Sequence, residues 1–234
     1  MSRSLIRKIA FGTGGAVAVV ALIGAAGIAY LSWTEWRRAE QIRARIREDS
    51  RTHDRPLNPQ IADEISIEGD ATKALAPVRA PQGEAEVLSF VSMPSFSTWR
   101  AVSISLSPSG TTAQGKVVSA DQSGSLTQLT FSDVRSFSAP KAAFLRAARE
   151  LDATTDGWPG SGDSLCMDGT PVAFERIRSG RVTSGWGNAD CDKHYAAVRE
   201  IVFAFLRRYA PDSVMPRTGS GTSTPHRAPR DPAP

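Results

Sequence analysis

From Ile9 to Trp33 no charged residue interrupts the chain: IAFGTGGAVAVVALIGAAGIAYLSW. A bilayer core about 30 Å thick is spanned by about 20 mostly apolar helical residues. The run supplies that length and predicts one helix, because backbone groups in lipid must bond internally. Arg3, Arg7 and Lys8 precede it, and Tyr30, Trp33 and Trp36 stand at its far end. Amphipathic rings favour the headgroup zone, which makes residues 9–33 an expected single transmembrane helix in contact with lipid. Its length exceeds a normal signal-peptide core of about 7–15 residues, so an uncleaved anchor is expected.

Different patterns follow. Trp33 to Glu48 lacks Gly and Pro and repeats Ala39, Ile42 and Ile46 at helical spacing, so the helix is expected to continue over 34–49. Residues 50–85 hold Pro56, Pro59, Pro77 and Pro81 and read as an acidic linker. Val102, Ile104 and Leu106 alternate as in a strand. Residues 111–120 and 126–131 read as its partners, separated by turn residues. Ser138 is a candidate helix cap ahead of Pro140, with Phe144, Leu145, Ala148 and Leu151 as the buried stripe. A second hairpin is expected over 169–178 and 181–187. Asp192 then caps a last helix whose stripe is Tyr195, Val198, Val202, Phe205 and Tyr209.

The expected architecture is therefore α+β: a transmembrane helix, then a β-β-β-α-β-β-α domain with two helices on one face of an antiparallel sheet. The expected parts are a basic N-terminus (1–8), the anchor (9–33), a juxtamembrane helix (34–49), a linker (50–85), a domain (86–210) and a Pro/Ser/Thr-rich tail (211–234). The tail has too little apolar surface to offset ordering entropy. The domain is of a size that folds alone.

Charge changes this picture in one respect. Residues 1–51 carry nine Lys/Arg against four Asp/Glu, whereas the candidate domain carries 13 against 12. The basic excess lies beside the anchor, which fits anionic headgroups and argues against a nucleic-acid partner. Arg37, Arg38, Arg43, Arg45, Arg47 and Arg51 would by themselves place the domain in the cytoplasm under the positive-inside rule. The two cysteines, Cys166 and Cys191, argue for an oxidising compartment, where they form one disulfide. The pair decides for an extracytoplasmic, periplasm-like location at the inner or plasma membrane.

Candidate chemistry is sparse. His53 lies in the linker and His226 in the tail; only His194 stands beside a predicted element. No G-x-S-x-G elbow occurs, and Gly180-x-x-x-x-Gly185 lacks the Lys-Ser/Thr of a phosphate loop. No cofactor is implied. Asp152, Thr154, Asp156 and Asp163, with Gly157, fall at the spacing of a calcium loop but depart from it at four positions. Trp158, Trp186 and His194 stand near Gly-rich turns or a helix start and are candidate partner contacts. Gly14, Ala18, Ala21, Ala25 and Ala29 form a small-residue face through which two anchors could pair. The function expected is non-catalytic: an anchored domain that binds another envelope component. The alternatives are a carboxylate- or calcium-dependent envelope hydrolase and a cytoplasm-facing interaction domain.

Overall fold

The computed structural model describes residues 3–62, 66–81, 83–95, 97–122, 129–158, 160 and 168–211; of residues 3–22, 49 and 122 only the backbone is described. The chain divides into Met1–Asp49 and Ser50–Pro234. The first unit is one continuous helix, α1 (Arg3–Asp49). Among the described residues no helix is long and apolar enough to cross a membrane. The side chains of Gly14, Ala18 and Ala21 lie outside the described residues. Further along, α1 exposes Ile23, Ile28, Tyr30, Leu31, Trp33 and Trp36, and the Arg37 guanidinium lies 4.5 Å from the Trp33 ring centre.

The second unit is built on an antiparallel sheet of β1 (Glu86–Ser92), β2 (Trp99–Leu106), β3 (Thr112–Gln122), β4 (Leu129–Phe131), β5 (Arg135–Pro140), β6 (Pro171–Arg178) and β7 (Arg181–Asn188). The order is β4-β3-β2-β1-β6-β7, with β5 also paired to β3. Helices α3 (Lys141–Thr155) and α4 (Lys193–Tyr209) cover one face. There Leu88, Phe90, Val102, Ile104, Val172 and Phe174 meet Phe144, Leu151, Tyr195, Val198 and Val202. Asp192 does cap α4, accepting from the His194 N–H at 2.8 Å.

The other face is also covered, which corrects the linker reading of residues 50–85. Helix α2 (Ile67–Leu75) and the single turns at Pro59–Ile61 and Ala76–Val78 belong to this segment. Leu57, Ala71, Ala74, Leu75 and Val78 pack on Val91, Trp99, Ala101, Val118, Ala173 and Trp186. Five of the segment's apolar residues are therefore core, and Pro59 and Pro77 lie in its single turns. His53 also exchanges backbone hydrogen bonds with Ser184, at 2.7 and 2.8 Å, and covers part of the β7 edge. The domain is thus three layers, with helices on both faces.

Two strands were not anticipated. β1 is the centre of the sheet, buried on both faces, so it shows no alternation. β5 runs through Ser138 to Pro140 and passes straight into α3, which has no side-chain cap. The Ser138 cap is therefore replaced by a strand-to-helix junction.

Gly187 is one of the close approaches that require glycine. A Cβ on Gly187 would stand 2.3 Å from the fully buried Tyr195 ring. Gly187→Ala is expected to cost about 1–3 kcal/mol through overpacking, read as a lowered urea midpoint with an unchanged slope.

Candidate functional site

β6 places Val172, Phe174, Arg176 and Arg178 on the face turned to α3, because side chains two apart share a face. The first two join the core and the next two end it with charge. The Arg176 side chain is only 4% exposed. Its Nε donates to Asp152 Oδ1 at 3.2 Å, and its Nη1 donates to the carbonyls of Ile177 (2.6 Å) and Val87 (3.2 Å). Its Nη2 pairs with Glu86. Arg178 donates to the second Asp152 oxygen at 2.8 Å and lies 3.6 Å from Asp156. Buried charges persist only when paired and hydrogen-bonded in this way.

Above this network lies an open groove of about 580 Å³ between α3 and the sheet. Ala142 and Leu145 form an apolar strip along it, and Arg146 and Arg149 reach it from α3. Arg149 Nε donates to the Leu145 carbonyl at 3.2 Å. Neither Arg146 nor Arg149 has an acidic partner among the described residues. Four guanidinium groups thus share the groove with two carboxylates, Glu86 and Asp152, both engaged by Arg176 and Arg178. The arrangement can hold an anion: guanidinium forks match carboxylate and phosphate oxygens.

The opposite face carries a second polar feature. In register across five strands stand Lys116, Ser103, Ser89, Glu175 and Ser184, one step from the apolar row Val118, Ala101, Val91, Ala173 and Trp186. Ser89 and Ser103 hydroxyls are 3.1 Å apart, and Glu175 accepts from the Leu57 N–H at 2.9 Å. The row opens at Lys116 into a cleft of about 240 Å³ lined by serines, Gln114 and Glu84. At the β7 end of the row, Arg55 clamps Glu68 through two hydrogen bonds and lies over the Trp186 ring.

Burial pushes the Glu68 carboxyl up, but the bonds from Arg55 and the Asn58 N–H and the nearby positive charges outweigh it, holding its pKa below the usual carboxylate range. A depressed folded pKa stabilises the domain above the unfolded value, about 4.3, and that contribution is lost as pH falls through the folded value. Glu68→Gln is expected to flatten the acid limb of a stability-against-pH curve measured by urea unfolding. An acid limb identical to the parent chain's would show that the pair contributes nothing.

The sequence candidates fare differently. Asp152 belongs to α3 and its oxygens face Arg176 and Arg178, while the Thr154 hydroxyl bonds back to the Glu150 carbonyl at 2.9 Å. Asp156 stands near Arg178 and Arg181. Asp152 and Asp156 thus stand at the α3 end with arginine partners; Asp163, the last ligand position of the calcium-loop reading, lies outside the described residues. Among the described residues no group of three or more His, Cys, Asp and Glu is placed to hold a metal. Trp158 and Trp186 are each 8% exposed, so they are core and not exposed contacts. His194 stacks on Trp158 at 4.6 Å and shields it. Ala25 and Ala29 are exposed on α1. Cys191 sits between β7 and α4, and no described cysteine is free; Cys166 lies outside the described residues.

The arginine groove was missed. Its signal was present as Arg176 and Arg178, two charges continuing the inward-facing alternation of Val172 and Phe174, and as Arg146 and Arg149 at i, i+3. No known protein family, curated protein or solved structure matches the chain.

Proposed function

We propose that this is a single-pass membrane protein whose three-layer domain works outside the cytoplasm and binds, without catalysis, an anionic component of the cell envelope. The observation that carries the binding role is the arginine groove over α3, with two guanidinium groups that have no described acidic partner. Two further features support the placement. The exposed apolar side chains of α1, with Tyr30, Trp33 and Trp36 at one end, suit a lipid surroundings and its interface. The absence of a free described thiol suits a Cys166–Cys191 bridge formed in an oxidising compartment. Pairing of anchors through the Gly14–Ala29 face belongs to the same proposal.

The test uses the full chain. In cells, it should stay with membranes through an alkaline wash, and neither cysteine should be alkylated when thiols are blocked at lysis. In nonionic detergent, a fluorescent oligoglutamate should bind and lose binding on Arg146→Glu/Arg149→Glu. Two alkylated cysteines would restore the cytoplasmic placement that the arginine count favours. Oligoglutamate binding unchanged by charge reversal would remove the groove from the function.

A further inference from the structure

We propose that the groove over α3 is a receptor for a phosphate monoester carried next to an apolar group. This rests on the reading of the groove as an anion site and names the anion. The first argument is charge. Four arginines and two carboxylates line the groove, and a third carboxylate, Asp156, lies 3.6 Å from Arg178, so the two charges without an acidic partner among the described residues are those of Arg146 and Arg149. A phosphomonoester carries about −1.5 to −2 at neutral pH, whereas a single carboxylate or a sulfate ester carries one. Like charges at i, i+3 on a helix repel, so Arg146 and Arg149 stand in a cost that a dianion removes.

The second argument is geometry. Arg176 is fixed by Asp152, Glu86 and two backbone carbonyls, and Arg178 by Asp152. These two form the floor of the groove, each already bonded to Asp152. Arg146 and Arg149 are the arms that can turn their forks onto a ligand. Three terminal oxygens of a phosphate accept from two forks at once, which one carboxylate does less completely. The third argument is the wall: Ala142 and Leu145 lie along the same groove and give an apolar substituent a surface beside the charged group. The ligand could reach this site as a lipid headgroup or as a free phosphate ester.

The experiment is a titration of the full chain in nonionic detergent, followed by calorimetry, with phenyl phosphate, phenyl sulfate and inorganic phosphate. Phenyl phosphate should bind tightest. Phenyl sulfate should bind about tenfold or more weaker, because it presents the same three terminal oxygens with one negative charge fewer. Arg146→Gln/Arg149→Gln should weaken phenyl phosphate about tenfold or more, and Arg146→Lys/Arg149→Lys should restore part of it. Both positions are on the solvent side of α3, so folding is checked by an unchanged urea midpoint. Titration of the full chain in the same detergent doped with phosphatidic acid or with phosphatidylcholine separates the sources. Arginine-dependent binding of phosphatidic acid assigns a lipid phosphate; binding of phenyl phosphate without binding of phosphatidic acid assigns a soluble ester. Equal binding of phenyl sulfate and phenyl phosphate, or phenyl phosphate binding indifferent to the glutamine pair, overturns the proposal. If phenyl phosphate fails while oligoglutamate still binds through Arg146 and Arg149, the phosphate assignment falls and the anion-binding reading stands. If both fail, both fall.

Discussion

Residues 86–210 alone are expected not to unfold cooperatively, whereas residues 50–211 are expected to do so. The shorter fragment keeps the whole sheet, α3 and α4, but strips one face. Val91, Trp99, Ala101, Val118, Ala173 and Trp186 would meet water in place of Leu57, Leu75 and Val78. Fully burying one such aliphatic side chain contributes about 1.5–3 kcal/mol, so three approach the whole stability of a typical domain, about 5–15 kcal/mol. The Leu57 N–H bond to Glu175 and the His53 bridge to Ser184 go with them. Urea unfolding followed by tryptophan fluorescence and far-ultraviolet circular dichroism should give coincident sigmoids for 50–211 only. Equal midpoints for the two fragments would show that the second helical layer is not part of the cooperative core.

Arg176→Ala is the point substitution expected to cost most among the charged residues. It leaves Glu86 and Asp152 facing each other without the guanidinium that bridges them. Breaking a buried pair by removing one partner costs about 3–5 kcal/mol, because the remaining charge is desolvated and uncompensated. Arg178 still holds one Asp152 oxygen, at 2.8 Å, so the loss should fall mainly on Glu86. The combination Arg176→Met/Glu86→Gln/Asp152→Asn should recover at least half of that cost, since no buried charge is left unpaired and the half-exposed Arg178 keeps Asp156 at 3.6 Å. The check is chemical denaturation at neutral pH. A cost below about 1 kcal/mol for Arg176→Ala would mean that water reaches the network and screens it.

The α4 stripe from Tyr195 to Phe205 and its Asp192 cap were legible in the chain itself and stand where their periodicity places them. Such a helix shows a stripe because water selects one face and the core selects the other. The β6–β7 hairpin was legible from its Ser179–Gly180 turn, although both strands are buried on both faces. The antiparallel α+β class follows from those elements.

What only the tertiary structure decided lies where that contrast vanishes or where distant residues meet. β1 is buried on both faces, so its pattern is continuous and carries no period. Residues 50–85 are polar and proline-rich on average, yet five of their apolar side chains are core, because burial is decided by position on the sheet and not by composition. Trp158 and Trp186 sit beside turns in sequence and are covered by His194, His53 and Arg55 from elsewhere in the chain. The arginine groove joins β1, β6 and α3, and it brings Glu86 to Arg176, 90 positions away. Sequence spacing predicts meetings only along one element, as at Arg146 and Arg149; the encounter of those two with Arg176, Glu86 and Asp152 is fixed by strand register and by the packing of α3 on the sheet.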